Sequence, residues 1–230
     1  MLVVVGTHEA DAGREGADVA PRRYVSEVRS RQAQQTRMAV LMAAHQMFVE
    51  RGWAATGVRS VAEQAGVSVK TIYDAFGSKA ELFKAVTDVA AAGDAEPVTV
   101  MEREQFAALA EGDLGQRAAA GARLALAVNR RTVDLMRVWR TAADTDPALA
   151  EMLTEDVERQ RQTFVAGVTL IAGHEIERQR AEGLWALMNE ESYRLLVRSC
   201  GWTDEQYEQW LAQTITRLLD TEQPPPQGAP

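Results

Sequence analysis

The sequence predicts an all-α protein, and three observations lead to that class. Apolar residues recur at helical spacing, as they do at Val40, Ala44, Met47 and Phe48. Glycines and capping residues divide this pattern into segments of helical length. No stretch alternates apolar and polar residues as a half-buried strand does, and no internal repeat is visible.

The N-terminal part is predicted to be a tail followed by a basic arm. Residues 1–21 hold several glycines and few large apolar groups, which is typical of a disordered tail. Residues 22–37 contain one acid, Glu27, and five arginines: Arg22, Arg23, Arg29, Arg31 and Arg37. This segment is either the solvated start of a helix or an arm that contacts the DNA backbone or minor groove. The first apolar helix follows it and ends at Arg51-Gly52.

Three further helices are predicted before residue 91. The first is short, from Val58 to Ala65, and Gly66 ends it. Ser68 is a suitable N-cap for the next, which carries Ile72, Tyr73 and Phe76 and ends at Gly77. Ser78 caps the fourth, and Glu81 three residues later predicts a capping box.

The stretch VRSVAEQAGVSVKTIYDAF, residues 58–76, has the spacing of a helix-turn-helix. Ala62 is small enough for two helices to cross closely, and Gly66 takes the left-handed backbone of the turn without steric cost. In this geometry the second helix presents four residues to base edges in a major groove: Val69, Lys70, Thr71 and Asp74. An ordinary helical hairpin has the same spacing and remains the alternative.

Residues 36–86 resemble the DNA-binding domain of the tetracycline-repressor (TetR) family. The resemblance lies in Phe48 with Gly52, Thr56, Val61-Ala62, Ala65-Gly66-Val67-Ser68, Thr71, Ile72-Tyr73, Phe76, Ser78-Lys79 and Leu82. It implies a homodimer that binds operator DNA, usually a repressor, whose C-terminal helices bind a small-molecule inducer. More loosely, residues 142–152 and 201–211 look like an actinobacterial-type branch.

The resemblance also implies roles for single residues. Ser68, Lys70 and Thr71 match positions that face DNA, Tyr73 matches an aromatic whose hydroxyl reaches a phosphate, and Lys79 matches a backbone-contacting lysine. Packing of the Tyr73 ring and solvation of a helix cap by Lys79 are the structural alternatives. The sequence departs from the family at Gly57, a weaker cap than Ser or Thr, and at Asp74, a carboxylate on the recognition helix.

The charge distribution fits a local contact with nucleic acid. The chain has a formal net charge of −8, yet residues 22–90 carry ten Lys and Arg against six Asp and Glu. A basic segment in an acidic chain can meet phosphate while the rest keeps the molecule soluble.

The chain beyond the break at residues 91–97 is predicted to form a larger helical domain for ligand binding and dimerisation. The domains expected are 1–21, 22–90, 91–222 and a Pro-rich tail, 223–230. The helices expected in the larger domain cover about 100–111, 113–127, 129–144, 147–172, 175–200 with a kink near Asn189, and 203–220. Asp113, Asp146 and Thr203 are predicted caps, with Pro147 in a first turn. The segments 147–172 and 203–220 are expected to form the dimer surface.

Large apolar side chains in this part suggest a cavity for an apolar or amphipathic molecule, although such residues more often form a core. The candidate lining residues are Phe106, Met136, Trp139, Phe164, Trp185 and Met188.

An enzyme is the main class that the sequence argues against. It has no Gly-rich phosphate loop, no HExxH and no nucleophile elbow, and no partners are visible for its three histidines. We expect no cofactor, no metal site, no membrane span and a cytoplasmic location. The single cysteine, Cys200, is expected to be a buried thiol, with a redox switch as the alternative. A ligand-binding protein that does not touch DNA, or a regulator that answers to no ligand, also remains open.

Overall fold

The computed structural model describes residues 20–94, 96 and 98–220, and within them it is all-α. No strand occurs in this described part. Ten α-helices follow one another along the chain: α1 (Ala20–Ala55), α2 (Val58–Ala65), α3 (Val69–Phe76), α4 (Lys79–Ala92), α5 (Glu104–Ala107), α6 (Leu114–Ala143), α7 (Pro147–Ala172), α8 (Arg178–Met188), α9 (Glu190–Tyr193) and α10 (Asp204–Leu219). We call α1–α4 the head and residues 98–220 the body.

The helix ends in the head follow the predicted capping residues. Gly52 has φ +76° and interrupts α1 at the predicted position, so only a single turn continues to Ala55. The predicted arm, however, is helical and continuous with α1, because no residue between Ala20 and Arg51 breaks it. Gly57 caps α2 without a side-chain hydrogen bond, as expected for a residue that lacks a side-chain acceptor. The Ser78 hydroxyl accepts from the Glu81 N–H, which is one half of the predicted capping box.

One core joins the head to the body. Its fully buried members include Phe48 and Phe83 from the head and Trp139 from α6. The Phe83 ring meets the Trp139 indole edge to face at 5.4 Å between centroids. The Trp139 Nε1–H donates to the Leu149 carbonyl at 3.1 Å, so this polar group is satisfied inside the core. Residues on both sides of the predicted boundary at 91–97 therefore contribute to one core. The domain limits stay a prediction.

The body is organised around α6, a single helix of 30 residues rather than the two predicted. The break expected near residue 128 does not occur because the Asn129 side chain does not compete for local backbone. Its Nδ2 donates to the Met188 carbonyl at 2.8 Å and to the Tyr207 hydroxyl at 3.1 Å. A second core packs α6 against α7, α8 and α10, with Tyr207, Leu211 and Ile215 fully buried.

Other predicted elements need correction. The segment 100–111 is not one helix: Val100–Glu102 and Ala108–Ala110 are 3₁₀ turns on either side of α5. The segment 175–200 starts later, at Arg178, but it breaks at Asn189 as predicted, where the Asn189 side chain accepts from the N–H groups of Glu191 and Ser192. Beyond α9 the chain is π-helical over Arg194–Ser199.

The caps of the body confirm their predictions. Asp113, Asp146 and Thr203 each accept a backbone N–H at the start of α6, α7 and α10, and Thr203 forms a capping box with Gln206. Pro147 opens the first turn of α7.

Three further expectations concern the two chain ends, the burial of Cys200 and a membrane span. The predicted tails fall outside the described residues, except for Ala20 and Pro21, which start α1. Cys200 is exposed, so its predicted burial is wrong: it follows the π-helical turns and precedes the Gly201 bend, where little packs over the chain. Among the described helices, none combines the length and apolar character that crossing a bilayer requires.

Candidate nucleic-acid interface

Helices α2 and α3 form the predicted helix-turn-helix. Gly66 adopts the left-handed conformation, with φ +69° and ψ +30°, and its N–H caps the carbonyls that end α2. The Ser68 hydroxyl accepts from the Thr71 N–H at 3.0 Å and starts α3. Val61 and Ile72 are buried in the core that residues of α1 share, so this core fixes the position of the two helices on the head.

The outer face of α3 is polar and open to solvent. Tyr73 is 49% exposed, which makes it one of the most exposed large hydrophobic side chains of the described residues. Ser68, Lys70 and Asp74 are also exposed, while Val69 and Thr71 are half-buried at the start of the helix. Four of the predicted DNA-facing residues, Ser68, Lys70, Tyr73 and Asp74, are therefore accessible to a partner, whereas Val69 and Thr71 are only partly so.

Two of these residues neutralise each other in the free protein. The Lys70 ammonium donates to both carboxylate oxygens of Asp74, at 2.9 and 2.7 Å, one helical turn away. Both side chains remain largely exposed, at 81% and 62%. An exposed pair of this kind is weak, so it can open when DNA offers other partners.

Lys79 is held inside the head rather than extended into solvent. Its Nζ donates to the Trp53 carbonyl at 2.6 Å and lies 4.0 Å from the centre of the Trp53 ring. Desolvation by burial lowers the pKa of Lys79. An ammonium has three N–H donors, so this contact leaves donors for a phosphate near the N-terminus of α4.

Arg37 also has a structural contact. Its guanidinium lies 4.4 Å from the centre of the Phe76 ring and donates to the Ala75 carbonyl at 3.4 Å. These contacts join α1 to the end of α3. Arg37 therefore helps to orient the recognition helix, a role that the Arg-rich composition of the arm does not reveal.

Comparison with known proteins identifies this head. Residues 40–86 match the family model described as bacterial regulatory proteins, tetR family. This part of the chain is therefore of the TetR type. The match confirms the family resemblance of the sequence, while the actinobacterial-type branch stays a prediction.

Two curated relatives share this TetR-type head. Over 47 residues the chain is 47% identical to the HTH-type transcriptional activator FasR of Mycolicibacterium smegmatis. This match covers 20% of this chain and 22% of FasR. Over 57 residues the chain is 44% identical to the HTH-type transcriptional regulator TtgR of Pseudomonas putida. This match covers 25% of this chain and 27% of TtgR. The matches span about a quarter of these relatives or less.

Solved structures extend the similarity of fold to the body. A TetR-family regulator from Mesorhizobium loti has a TM-score of 0.62 at 19% identity, covering 81% of this chain and 96% of that one. NalD of Pseudomonas aeruginosa, described as the secondary repressor of the MexAB-OprM multidrug efflux pump, has a TM-score of 0.61 at 17% identity, covering 84% and 100%. The TetR-type fold therefore includes the body as well as the head.

The six residues predicted to line a ligand cavity are not brought together. Met136 and Trp139 belong to the core that joins head and body, whereas Phe106 and Met188 belong to the second core. Phe164 packs at the edge of the second core, and Trp185 is half-buried on α8. Apolar spacing along α6 does not reveal that one helix supplies two cores.

The structure instead has a groove where head and body meet, which sequence reasoning missed. It has a volume of about 530 Å³, is partly open to solvent and lies between α1, α4 and α6. None of the six predicted residues lines it. The adjacent pair Arg130-Arg131, at the start of the predicted helix 129–144, is the sequence signal that could have pointed to it.

Proposed function

We propose that this chain is a transcriptional regulator that binds operator DNA through α3. The observation that carries the proposal is the exposed polar face of α3, which a capped turn and a shared core hold in a TetR-type head. In this proposal Lys70 and Thr71 contact base edges, Ser68, Val69 and Asp74 lie beside them, and Tyr73 and Lys79 contact phosphates. Binding to operator DNA gives the protein a cytoplasmic site of action.

A homodimer follows from the same geometry. A single recognition helix reads only a short half-site, and two related by a two-fold axis read half-sites one or more helical turns apart. We assign the dimer surface to the segments 147–172 and 203–220. Leu218, 39% exposed, and the Trp202–Trp210 pair, with centroids 5.8 Å apart, supply apolar area on or beside the second segment. Light scattering at micromolar concentration should give twice 25.3 kDa, and a species of 25.3 kDa alone would exclude the dimer.

Repression released by a small apolar or amphipathic molecule is the regulatory form that we propose. The names of the relatives include both a repressor, NalD, and an activator, FasR. A similar fold from Saccharomonospora viridis, with a TM-score of 0.56 at 19% identity, was solved in complex with choline. Helix α4 is the physical link, because its first residue is Lys79 and its last turn contacts the body through Arg131. Movement of α4 by a few ångströms would change the separation of the two α3 helices.

Selection of duplexes from a random pool tests the DNA-binding proposal without knowledge of the target gene. The full chain should enrich an inverted repeat whose half-sites lie about 10 base pairs, or a multiple of that, apart. A Lys70→Ala, Thr71→Ala double variant that still folds should enrich a different motif. Failure of the native chain to enrich any motif at low salt would contradict the proposal.

A helical protein that binds a small molecule without touching DNA is the second candidate. The Lys70–Asp74 pair favours it, because the paired carboxylate cancels the one lysine on the face of α3. The selection experiment and the salt titration described below separate the two candidates.

A further inference from the structure

The groove between head and body has an apolar floor. We call it the junction groove. Its apolar lining comes from Met38, Leu41 and Val49 of α1 and from Val86, Val89 and Ala90 of α4. At its lip Met42 is 68% exposed, the largest exposed fraction of any large hydrophobic side chain in the described residues. The volume of about 530 Å³ falls within the range of small-molecule sites, roughly 300–1,000 Å³.

The wall that α6 supplies is basic. Arg130 and Arg131 line it together with one carboxylate, Asp134. The Arg130 side chain is 61% exposed and forms a long ion pair with Asp204 at 3.5 Å, which an anion in the groove would have to compete with. His45 adds little positive charge near neutral pH, because desolvation lowers its pKa more than Asp134 raises it. The wall thus carries a net positive charge next to an apolar floor.

Arg131 connects this wall to the end of α4. Its Nε donates to the Ala90 carbonyl at 2.7 Å and its Nη2 to the Ala91 carbonyl at 2.9 Å. A cation at this position stabilises the C-terminus of a helix and satisfies its last carbonyls. An anion bound beside Arg131 would compete with these carbonyls for the guanidinium.

From the apolar floor and the basic wall we infer that the junction groove binds an amphipathic anion, such as a carboxylate on an aliphatic chain. The head group contacts Arg130 and Arg131, and the chain lies along α1 and α4. Binding weakens the contact of Arg131 with α4 and changes the position of the head on the body. The regulatory part of this inference rests on the proposed function, whereas the binding itself does not.

Calorimetry with the full chain tests the site in the absence of DNA. The probes are dodecanoate and dodecyltrimethylammonium, both below their micellar concentrations. Dodecanoate should bind saturably, and the cation at least about tenfold more weakly, as expected when a charge-assisted contact is lost. Absence of saturable dodecanoate binding, or equal binding of the two probes, would overturn the inference.

Charge reversal at Arg130 locates the binding. Arg130→Glu should weaken dodecanoate about tenfold or more and strengthen the cationic probe. Arg123→Glu is the matched control, because Arg123 is an exposed arginine on the same helix that does not line the groove. Melting curves check that both variants fold. Equal effects of the two variants would show that dodecanoate binds elsewhere and would overturn the site.

The regulatory step has a separate readout. With a duplex from the selection experiment, saturating dodecanoate should lower DNA affinity about 5- to 150-fold, and DNA should lower dodecanoate affinity by the same factor. Arg123→Glu should keep this coupling and Arg130→Glu should lose it. Dodecanoate that binds in the groove with no effect on DNA affinity would overturn the regulatory part. A chain that selects no duplex would contradict the proposed function and leave the calorimetric result as the test of the site.

Discussion

The Lys79 ammonium lies over the indole of Trp53 and donates to the carbonyl of the same residue, at 2.6 Å. The contact joins the first residue of α4 to the turn that follows Gly52. It gives Lys79 a role in the stability of the head in addition to the phosphate contact that we propose for it.

Replacement of Lys79 by alanine should therefore affect both folding and DNA binding. Loss of the hydrogen bond and the cation–π contact should lower the free energy of unfolding by about 1–2 kcal/mol. Loss of a phosphate contact should reduce the slope of log affinity against log salt by about one per subunit. Lys84→Ala is the control: its ion pair with Asp88, one turn along the same helix and with side chains 29% and 47% exposed, predicts a change within about 0.5 kcal/mol. Equal unfolding curves for the two variants would refute the structural role of Lys79.

Tyr73→Phe should change DNA affinity without changing stability. The side chain is 49% exposed, and its hydroxyl has no hydrogen-bond partner among the described contacts of the free protein. Loss of one phosphate contact should weaken binding about 3- to 10-fold for every duplex, matched or mismatched. Fluorescence anisotropy with a selected and a scrambled duplex provides the measurement. A loss confined to the selected duplex would mean that Tyr73 reads bases instead.

Asp74→Asn should release Lys70 from its ion pair. The variant leaves the Lys70 ammonium without its carboxylate and, in the proposed complex, removes a negative charge beside the duplex. We expect tighter binding to all duplexes and a steeper salt dependence by about one charge per subunit. Glu63→Gln on α2, an exposed carboxylate of the same head, is the comparison. Weaker binding to the selected duplex alone would instead indicate that Asp74 accepts a hydrogen bond from a cytosine amine.

His45 should make stability depend on pH. Desolvation lowers its pKa in the folded chain, so the unfolded chain binds a proton at a higher pH. The folded state therefore loses stability as pH falls through about 6.5, the usual histidine value. His45→Gln should flatten the melting temperature between about pH 7.5 and 5.5 relative to the native chain. A native chain that gains stability over this interval relative to the variant would contradict the assigned direction.

The head could be predicted closely because its boundaries depend on local chemistry. Gly66 and Gly77 end helices by taking positive φ, and Ser68 and Ser78 start helices with their own hydroxyl groups. These effects act over three or four residues, so they are legible in one sequence. The family resemblance then supplies the DNA-contacting role that we propose for the face of α3.

The body was predicted less well because its form depends on contacts between distant residues. Asn129 does not end α6, since its amide finds Met188 and Tyr207, 59 and 78 residues further along the chain. Trp139 was predicted from the sequence to line a ligand cavity, yet Phe83 of the head packs against it. The helical spacing of apolar residues shows which side chains face the interior, but it does not show in which of the two cores each side chain is buried.

Binding of the full chain to a selected duplex as a function of salt tests the central claim most directly. The account predicts that log affinity falls linearly with log salt concentration, and that Tyr73→Phe and Lys79→Ala lower affinity at every salt concentration. It also predicts a preference for the selected duplex over a scrambled one of about 10³-fold or more. Affinity that does not depend on salt, or equal affinity for the two duplexes, would contradict the claim that α3 reads operator DNA.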